Sequence, residues 1–387
     1  MRHHLCVVVF GTMGHMPLAG MAWQVLQYLE GLRRLGCEVY YVEDTGTWPY
    51  NPEHKTVSAD CRSTLTYLAS LMARCGLEDR WAYRAAAPNG RTFGLSQGQL
   101  TRLLERADAL VNLTGATVLR EEYLRVPVRI YLETDPVLAQ VQVAQGDQRT
   151  IDLLGTHTHH FTFGENIGAP DCGVPLTRFD YQPTRQPIVL DWWTPQSPHN
   201  GHFTTIANWR QSEKDLAWNG ETYRWSKHYE FLKFIDLPGR TSQALELALA
   251  CGDAEALRLL RSHGWHLRDA LTLSEGLLAY REYILGSRGE FTVAKDQNIR
   301  LRSGWFSDRS ACYLGAGRPV ITQDTGFGKI LPTGKGLFAF RTMDQILDAL
   351  EQITADYSAH AQAAHEIARE YFSAERVVST LLERAGL

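Results

Sequence analysis

The feature that most constrains this chain is the run "LCVVVF" at residues 5–10, apolar at every position. A strand that is apolar on both faces fits a parallel sheet covered on both sides. The run passes straight into a Gly-rich loop, "GTMGHMPLAG" (11–20), after which Met21, Val25, Leu26, Leu29, Leu32 and Leu35 recur at helical spacing. Pro17 is expected in the first turn of that helix, where a missing N–H costs nothing. Gly36 closes it, and "CEVYYVED" (37–44) reads as a second strand. Further strands are expected at 108–113, 128–133 and 160–163, with helical patterns between them. This alternation predicts an α/β domain with a parallel sheet.

The alternation then restarts. "DYQPTRQP" (180–187), with its two prolines, is the linker candidate. Beyond it, strands are expected at 202–208, near Trp265–Leu267, at 290–295 and at 318–322. Helical patterns cover 241–262, 274–285 and the stretch marked by Met343, Ile346, Leu347, Leu350 and Ile353. The tail from Ala359 to Leu387 reads as one or two helices interrupted near Phe372–Ser373. A chain of 387 residues exceeds one ordinary core, so two domains and a cleft between them are expected. The formal charge of −4 offers no general attraction to nucleic acid or anionic membrane. Seven cysteines without paired short spacing read as reduced thiols, and the expected location is cytoplasmic, with no membrane span.

The stretch "SGWFSDRSACYLGAGRPVITQDTGFGKILPTGKGLFAF" (303–340) reads as loop, helix, strand, Gly-rich loop and strand. Ser307 is the expected N-cap of a helix running to about Leu314, Gly315 and Gly317 stop it, and Pro319 opens a buried strand. Free backbone N–H groups at Thr325–Phe327 and at the start near Ser307 could hold a diphosphate, with Lys329 and Lys335 adding charge. By itself the segment fits a buried helix with two ordinary turns equally well.

The order of these features resembles the nucleotide-sugar half of glycosyltransferases with the GT-B fold. "VVVFGTMGH" leading to a helix and "LRRLGCEVYYVED" resembles the opening half of the same family, and "REYFSAERVVSTLLERAGL" resembles its terminal helices, which cross back to the first domain. Residues 210–240 match nothing in that pattern. The resemblance implies two Rossmann-like domains facing across a cleft: an acceptor domain at 1–185, a nucleotide-sugar domain at 186–365, and a helix at 366–387 packing back on the first. It implies a hexosyltransferase that moves a sugar from a nucleotide-diphosphate sugar, here expected to be a UDP sugar, to an acceptor hydroxyl. No cofactor or metal is expected to be required.

The glutamate pair of many retaining members is missing: Gly304 and Cys312 stand at those positions. Asp308 is the expected substitute at the ribose. Arg302-Ser303-Gly304 replaces the His-Cys-Gly of plant-type inverting members. The expected nucleotide-sugar set is Gly14, Arg210, Lys214, Ser287, Gly304, Ser307, Asp308, Arg309, Thr325, Gly326 and Phe327. In inverting members that resemble natural-product transferases, the base lies in a Gly-His loop after the first strand, which is His15 here. A neutral histidine suits that proton transfer when a carboxylate orients it. "YLETDP" (131–136) supplies Glu133 and Asp135, and Asp135 is preferred, with Glu133 turned into packing. The missing glutamates favour inversion.

Trp48 and Tyr50, in "EDTGTWPYNPEH" (43–54), are candidate acceptor contacts, as is the loop 81–93. Alternation puts His157 and His159 of "GTHTHH" on one strand face, at a strand edge. "NLT" (112–114) falls in an expected buried strand, and the loop 11–20 is neither a dinucleotide fingerprint nor a P-loop. The rival readings are a nucleotide-sugar 2-epimerase of the same fold, a non-catalytic nucleotide-sugar binder, and a transferase acting on a modified nucleic-acid base. A small-molecule acceptor is favoured over nucleic acid, and the oligomeric state is open.

Overall fold

The computed structural model describes residues 4–86, 90–211 and 214–387. Two sheets organise them. The first has eight strands in the spatial order Tyr181–Pro183, His159–Thr162, Val128–Glu133, Ala109–Leu113, Cys6–Phe10, Glu38–Glu43, Trp81–Arg84 and Thr92–Gly94. All neighbours run parallel except the last pair, a hairpin at the sheet edge. Strand Cys6–Phe10 is buried along its whole length. Val7 and Val9 enter the core on one face; Cys6, Val8 and Phe10 enter the core on the other.

The second sheet has six parallel strands in the order His266–Asp269, Ala244–Ala250, His202–Asn208, Gly289–Thr292, Val320–Gln323 and Leu337–Phe340. In each sheet the first strand in sequence lies centrally and the chain reverses its direction of growth beside it. These two switch points, between Cys6–Phe10 and Ala109–Leu113 and between His202–Asn208 and Gly289–Thr292, open crevices at the strands' carboxyl ends.

Several expected elements are redrawn. The segment 241–262 was expected to be helical throughout, but Ala244–Ala250 ("ALELALA") is a strand paired on both sides, and only Ala254–Ser262 is helix. Alanine and leucine favour helices in isolation, yet burial between two strands overrides that preference. Pro17 precedes its helix, which begins at Ala19. The pattern at 274–285 is two helices, Ala270–Glu275 and Leu277–Gly286, broken at Gly276.

The chain crosses between the sheets twice, side by side. Ile188 bridges to Ser373, its N–H donating to the Phe372 carbonyl at 2.6 Å while Ala374 N donates back to Ile188 O at 2.9 Å. Helix Ala374–Arg384 then lies on helix Ala19–Arg34, where Gly31 leaves room for Val378. Val378, Leu381, Leu382 and Ala385 complete the core of the first domain. The buried Gln27 side chain secures the outward crossing, its Oε1 accepting from Val189 N at 3.1 Å and Trp193 Nε1 at 2.9 Å.

Candidate active site

A cavity of about 600 Å³ lies where the two crevices face each other. Thr114 and Gly115, just past one strand of the first sheet, and Glu133, Thr134 and Asp135, at and past the end of another, form one wall. Lys214, Trp225, Lys295, Trp305 and Asp308 form the other.

The second wall is a cluster of cations around two indoles. The Lys295 ammonium stands 3.3 Å from the Trp225 ring centroid, and the Lys214 ammonium 4.8 Å from the same ring. Lys227 lies 5.3 Å from the Trp305 ring. Burial brings Lys227 down to about 7, with the positive charges of Arg309 and Lys295 adding to the effect. Burial also lowers Lys295, although Asp135 opposes it through an ion pair that spans the cleft. Trp225 Nε1 donates to Gln211 Oε1 at 3.1 Å, and Trp305 Nε1 donates across the cleft to the Thr134 carbonyl at 3.0 Å. Like charges held together at this density repel, and an anion placed among them would offset that repulsion and favour the charged form of Lys227.

The first wall is acidic. Glu133 is 3% exposed. Its Oε2 accepts from Gln140 Nε2 at 2.7 Å and Thr162 Oγ1 at 2.6 Å, while its Oε1 is buried without a hydrogen-bond partner. Burial pushes Glu133 up to about 7, and the nearby Asp135 charge raises it further.

The loop at 11–18 is built around a different carboxylate. Fully buried Glu43 accepts from Gly14 N at 2.8 Å, from His15 N and from the Tyr41 hydroxyl at 2.5 Å. Burial pushes Glu43 up to about 7. The expected His15–Asp135 pairing is therefore corrected: His15 Nδ1 approaches Thr45 Oγ1 at 3.4 Å, Asp135 is paired with Lys295, and His15 is not among the residues lining the cavity. Tyr50 N donates to the His15 carbonyl at 2.9 Å, in a small hairpin beside this loop, and Trp48 is 46% exposed.

Of the expected nucleotide-sugar residues, Lys214 and Asp308 line the cavity. The others lie elsewhere. Arg210 pairs with Asp253 at 3.3 Å. Arg309 is spent inside the second domain on Glu290 at 2.7 Å, the Ile206 carbonyl at 2.6 Å and Thr292 Oγ1 at 3.0 Å. Ser287 is fully buried, its Oγ 2.6 Å from Thr204 Oγ1. Ser307 occupies the N-cap position of helix Asp308–Gly315, but its hydroxyl reaches Asp308 at 3.3 Å instead of capping. Gly304 and Thr325 are knitted together, Gly304 N donating to Thr325 O at 2.8 Å and Thr325 Oγ1 to Trp305 O at 2.6 Å. Both Gly304 and Gly326 have positive φ and abut Asn166 of the first domain, whose N–H donates to Ser303 O at 3.0 Å. Phe327 packs edge-on against Phe306. These loops join the two domains below the cavity. Lys329 and Arg302 both pair with Asp171, and Lys329 adds no charge to the cavity.

His157 and His160, rather than His157 and His159, come together, with Tyr131 between them, and strand His159–Thr162 is an inner strand. Asn112 is fully buried and bonds Thr117 and His157. Among the described residues no three His, Cys, Asp or Glu side chains gather as a metal cluster, and no helix is long and apolar enough to cross a membrane.

Sequence reasoning missed Trp225, Lys227 and Lys295. The first two come from the stretch 210–240 that fitted no pattern; its alternation of aromatic and basic residues was the available signal.

Two α/β sheets facing across a cleft, with the last helix returning to the first domain, define the GT-B fold, and the chain has it. No family model and no curated protein matches the sequence. Among solved structures the chain is similar to AviGT4, a glycosyltransferase involved in avilamycin A biosynthesis, at 12% identity and TM-score 0.52, covering 98% of this chain and 97% of that one. It is similar to HepE from Anabaena in complex with UDP and glucose, at 11% identity and TM-score 0.55, covering 99% and 100%. It is also similar to an α-glucosyltransferase in complex with UDP and a DNA 13-mer containing an HMU base, at 8% identity and TM-score 0.58 over the whole of both chains.

Proposed function

We propose that this protein is a glycosyltransferase that moves a sugar from a UDP sugar to an acceptor hydroxyl. The observation that carries the reading is the pair Lys214 and Lys295 lining the cavity opposite a carboxylate wall, with Lys227 packed against Trp305 of the same lining. The diphosphate is placed among these ammonium groups, which stabilise the charge that gathers on the leaving group as the glycosidic bond breaks. They supply the positive charge that a metal supplies elsewhere, so the proposed reaction is metal-independent. The absence of the glutamate pair, with Gly304 and Cys312 at those positions, favours inversion.

The first-domain residues lining the cavity include Glu133 and Asp135 but no lysine or arginine. A phosphodiester would meet repulsion there, so the acceptor is proposed to be an uncharged hydroxyl compound rather than nucleic acid. The bound α-glucosyltransferase complex with DNA keeps the nucleic-acid alternative testable. His15 does not carry forward as the base, because it lies outside the cavity lining and its expected partner is held by Lys295.

Thermal-shift screening with UDP, GDP, dTDP and their sugars tests the donor. Binding to the folded state raises the melting temperature by mass action. UDP and a UDP sugar are expected to give the largest rise; no rise with any nucleotide would overturn the reading. Epimerised product from nucleotide sugar alone would favour the 2-epimerase.

A further inference from the structure

Two carboxylates stand on the acceptor wall, and they are held very differently. Asp135 accepts from the Lys295 ammonium, a cation of the opposite domain. Glu133 is held only by neutral donors. Its Oε2 is fixed by the Gln140 amide and the Thr162 hydroxyl, and each donor is itself oriented: Val137 N donates to Gln140 Oε1 at 2.8 Å, and Gly164 N donates to Thr162 Oγ1 at 3.0 Å. That network leaves Glu133 Oε1 buried and unpartnered in a side chain that lines the cavity. Asp135 Oδ1 is likewise unpartnered, but its carboxylate is already neutralised by Lys295, whereas no cation among the described residues pairs with Glu133. A buried carboxylate with a free oxygen is costly to keep unless something else uses it.

The backbone next to it supports the same conclusion. Val137 has φ +92° and ψ −51°, a region that β-branched residues avoid. Strain of this kind collects where a segment is held for function. Here it sits between Asp135 and Leu138, both of which line the cavity.

We propose that Glu133 accepts the proton of the acceptor hydroxyl during glycosyl transfer, a role that rests on the transferase reading above. The acceptor O–H bond breaks and its proton passes to Glu133 Oε1. The oxygen's electron pair forms the new bond to the anomeric carbon. The anomeric carbon's bond to the diphosphate oxygen breaks, its electron pair leaving on the nucleoside diphosphate beside the lysines, and Glu133 then releases its proton to solvent. The groups facing Glu133 are the Tyr131 and Tyr181 hydroxyls, Asp135, Gln140 and Thr162, with Lys295 beyond Asp135. With Glu133 at about 7, the base form gains population as pH rises through neutrality, so kcat/KM climbs over that range.

The test measures UDP release from the UDP sugar giving the largest thermal upshift, with water as the acceptor, for the intact chain and for Glu133→Gln, Glu133→Asp and His15→Ala. Glu133→Gln is expected to lower kcat by about 100-fold or more, to abolish the rise of kcat/KM near neutrality, and to keep the UDP-induced upshift. Glu133→Asp is expected to restore part of kcat with a displaced pH limb; it decides the matter if the glutamine variant does not fold. Retention of kcat and of the pH limb in Glu133→Gln overturns the proposal, as does a loss in His15→Ala equal to that in Glu133→Gln. Absence of any UDP upshift in the unaltered protein is a separate result and sinks the transferase reading instead.

Discussion

In the first domain, Glu133 in the cleft wall and Glu43 beneath the loop 11–18 are buried among neutral donors, and both are pushed up to about 7. On the second sheet's side, Lys227 is brought down to about 7 from the other direction. One physical cause, loss of water, moves acids and bases towards each other until both lie near neutrality. Exposed pairs in the same chain behave otherwise: Arg106 beside Glu38 holds that carboxyl down at about 2. The contrast teaches that the cleft stores its charge conditionally.

Removing the cations should break the contrast most strongly. The double variant Lys227→Ala/Lys295→Ala is expected to weaken UDP binding by roughly 100-fold or more, since each charge-assisted hydrogen bond contributes about 1.5–3 kcal/mol. Isothermal titration measures it, and an affinity within threefold of the unaltered protein would remove the lysine wall from the donor site. Next in size is Glu43→Ala, which strips the acceptor from two backbone N–H groups and the Tyr41 hydroxyl. A loss of about 2–4 kcal/mol is expected in chemical denaturation, from unpaired buried donors.

A smaller effect separates the walls by pH. The diphosphate binds the protonated Lys227, so UDP affinity should fall as pH rises through about 7, and Lys227→Met should flatten that slope. Calorimetry in buffers of different ionisation heat reads the accompanying proton uptake. The smallest change is expected from Asp135→Asn. Freeing Lys295 from its cross-cleft partner should tighten UDP binding a few-fold; a weaker affinity would mean that Asp135 shapes the donor site directly.

Much of the fold was legible because strands buried on both faces announce themselves. "LCVVVF", "VRIYLE" and "HFTTIAN" each fall on an observed strand. "ALELALA" was misread because its residues favour helices and only pairing with two neighbours decides otherwise. The site was legible in part. Lys214, Asp308 and Asp135 reach the cavity, whereas Arg309 and Ser287 are consumed by buried partners that no local pattern displays. Glu133 and Asp135 show the limit sharply. Glu133 ends a strand and Asp135 follows two residues later, and which one is held by a cation depends on Lys295, 160 residues beyond Asp135 along the chain.

The returning helix has a consequence for the order in which the protein is made. Val378, Leu381 and Leu382 belong to the core of a domain whose first strand begins at Cys6. During synthesis, chains generally fold from the N-terminus as units emerge. Here the first sheet lacks a face of its own core until helix Ala374–Arg384 leaves the ribosome. Its exposed apolar surface beside Gly31 must wait through the translation of the entire second domain, so a chain stalled late in synthesis leaves the earlier domain, not the later one, unfinished.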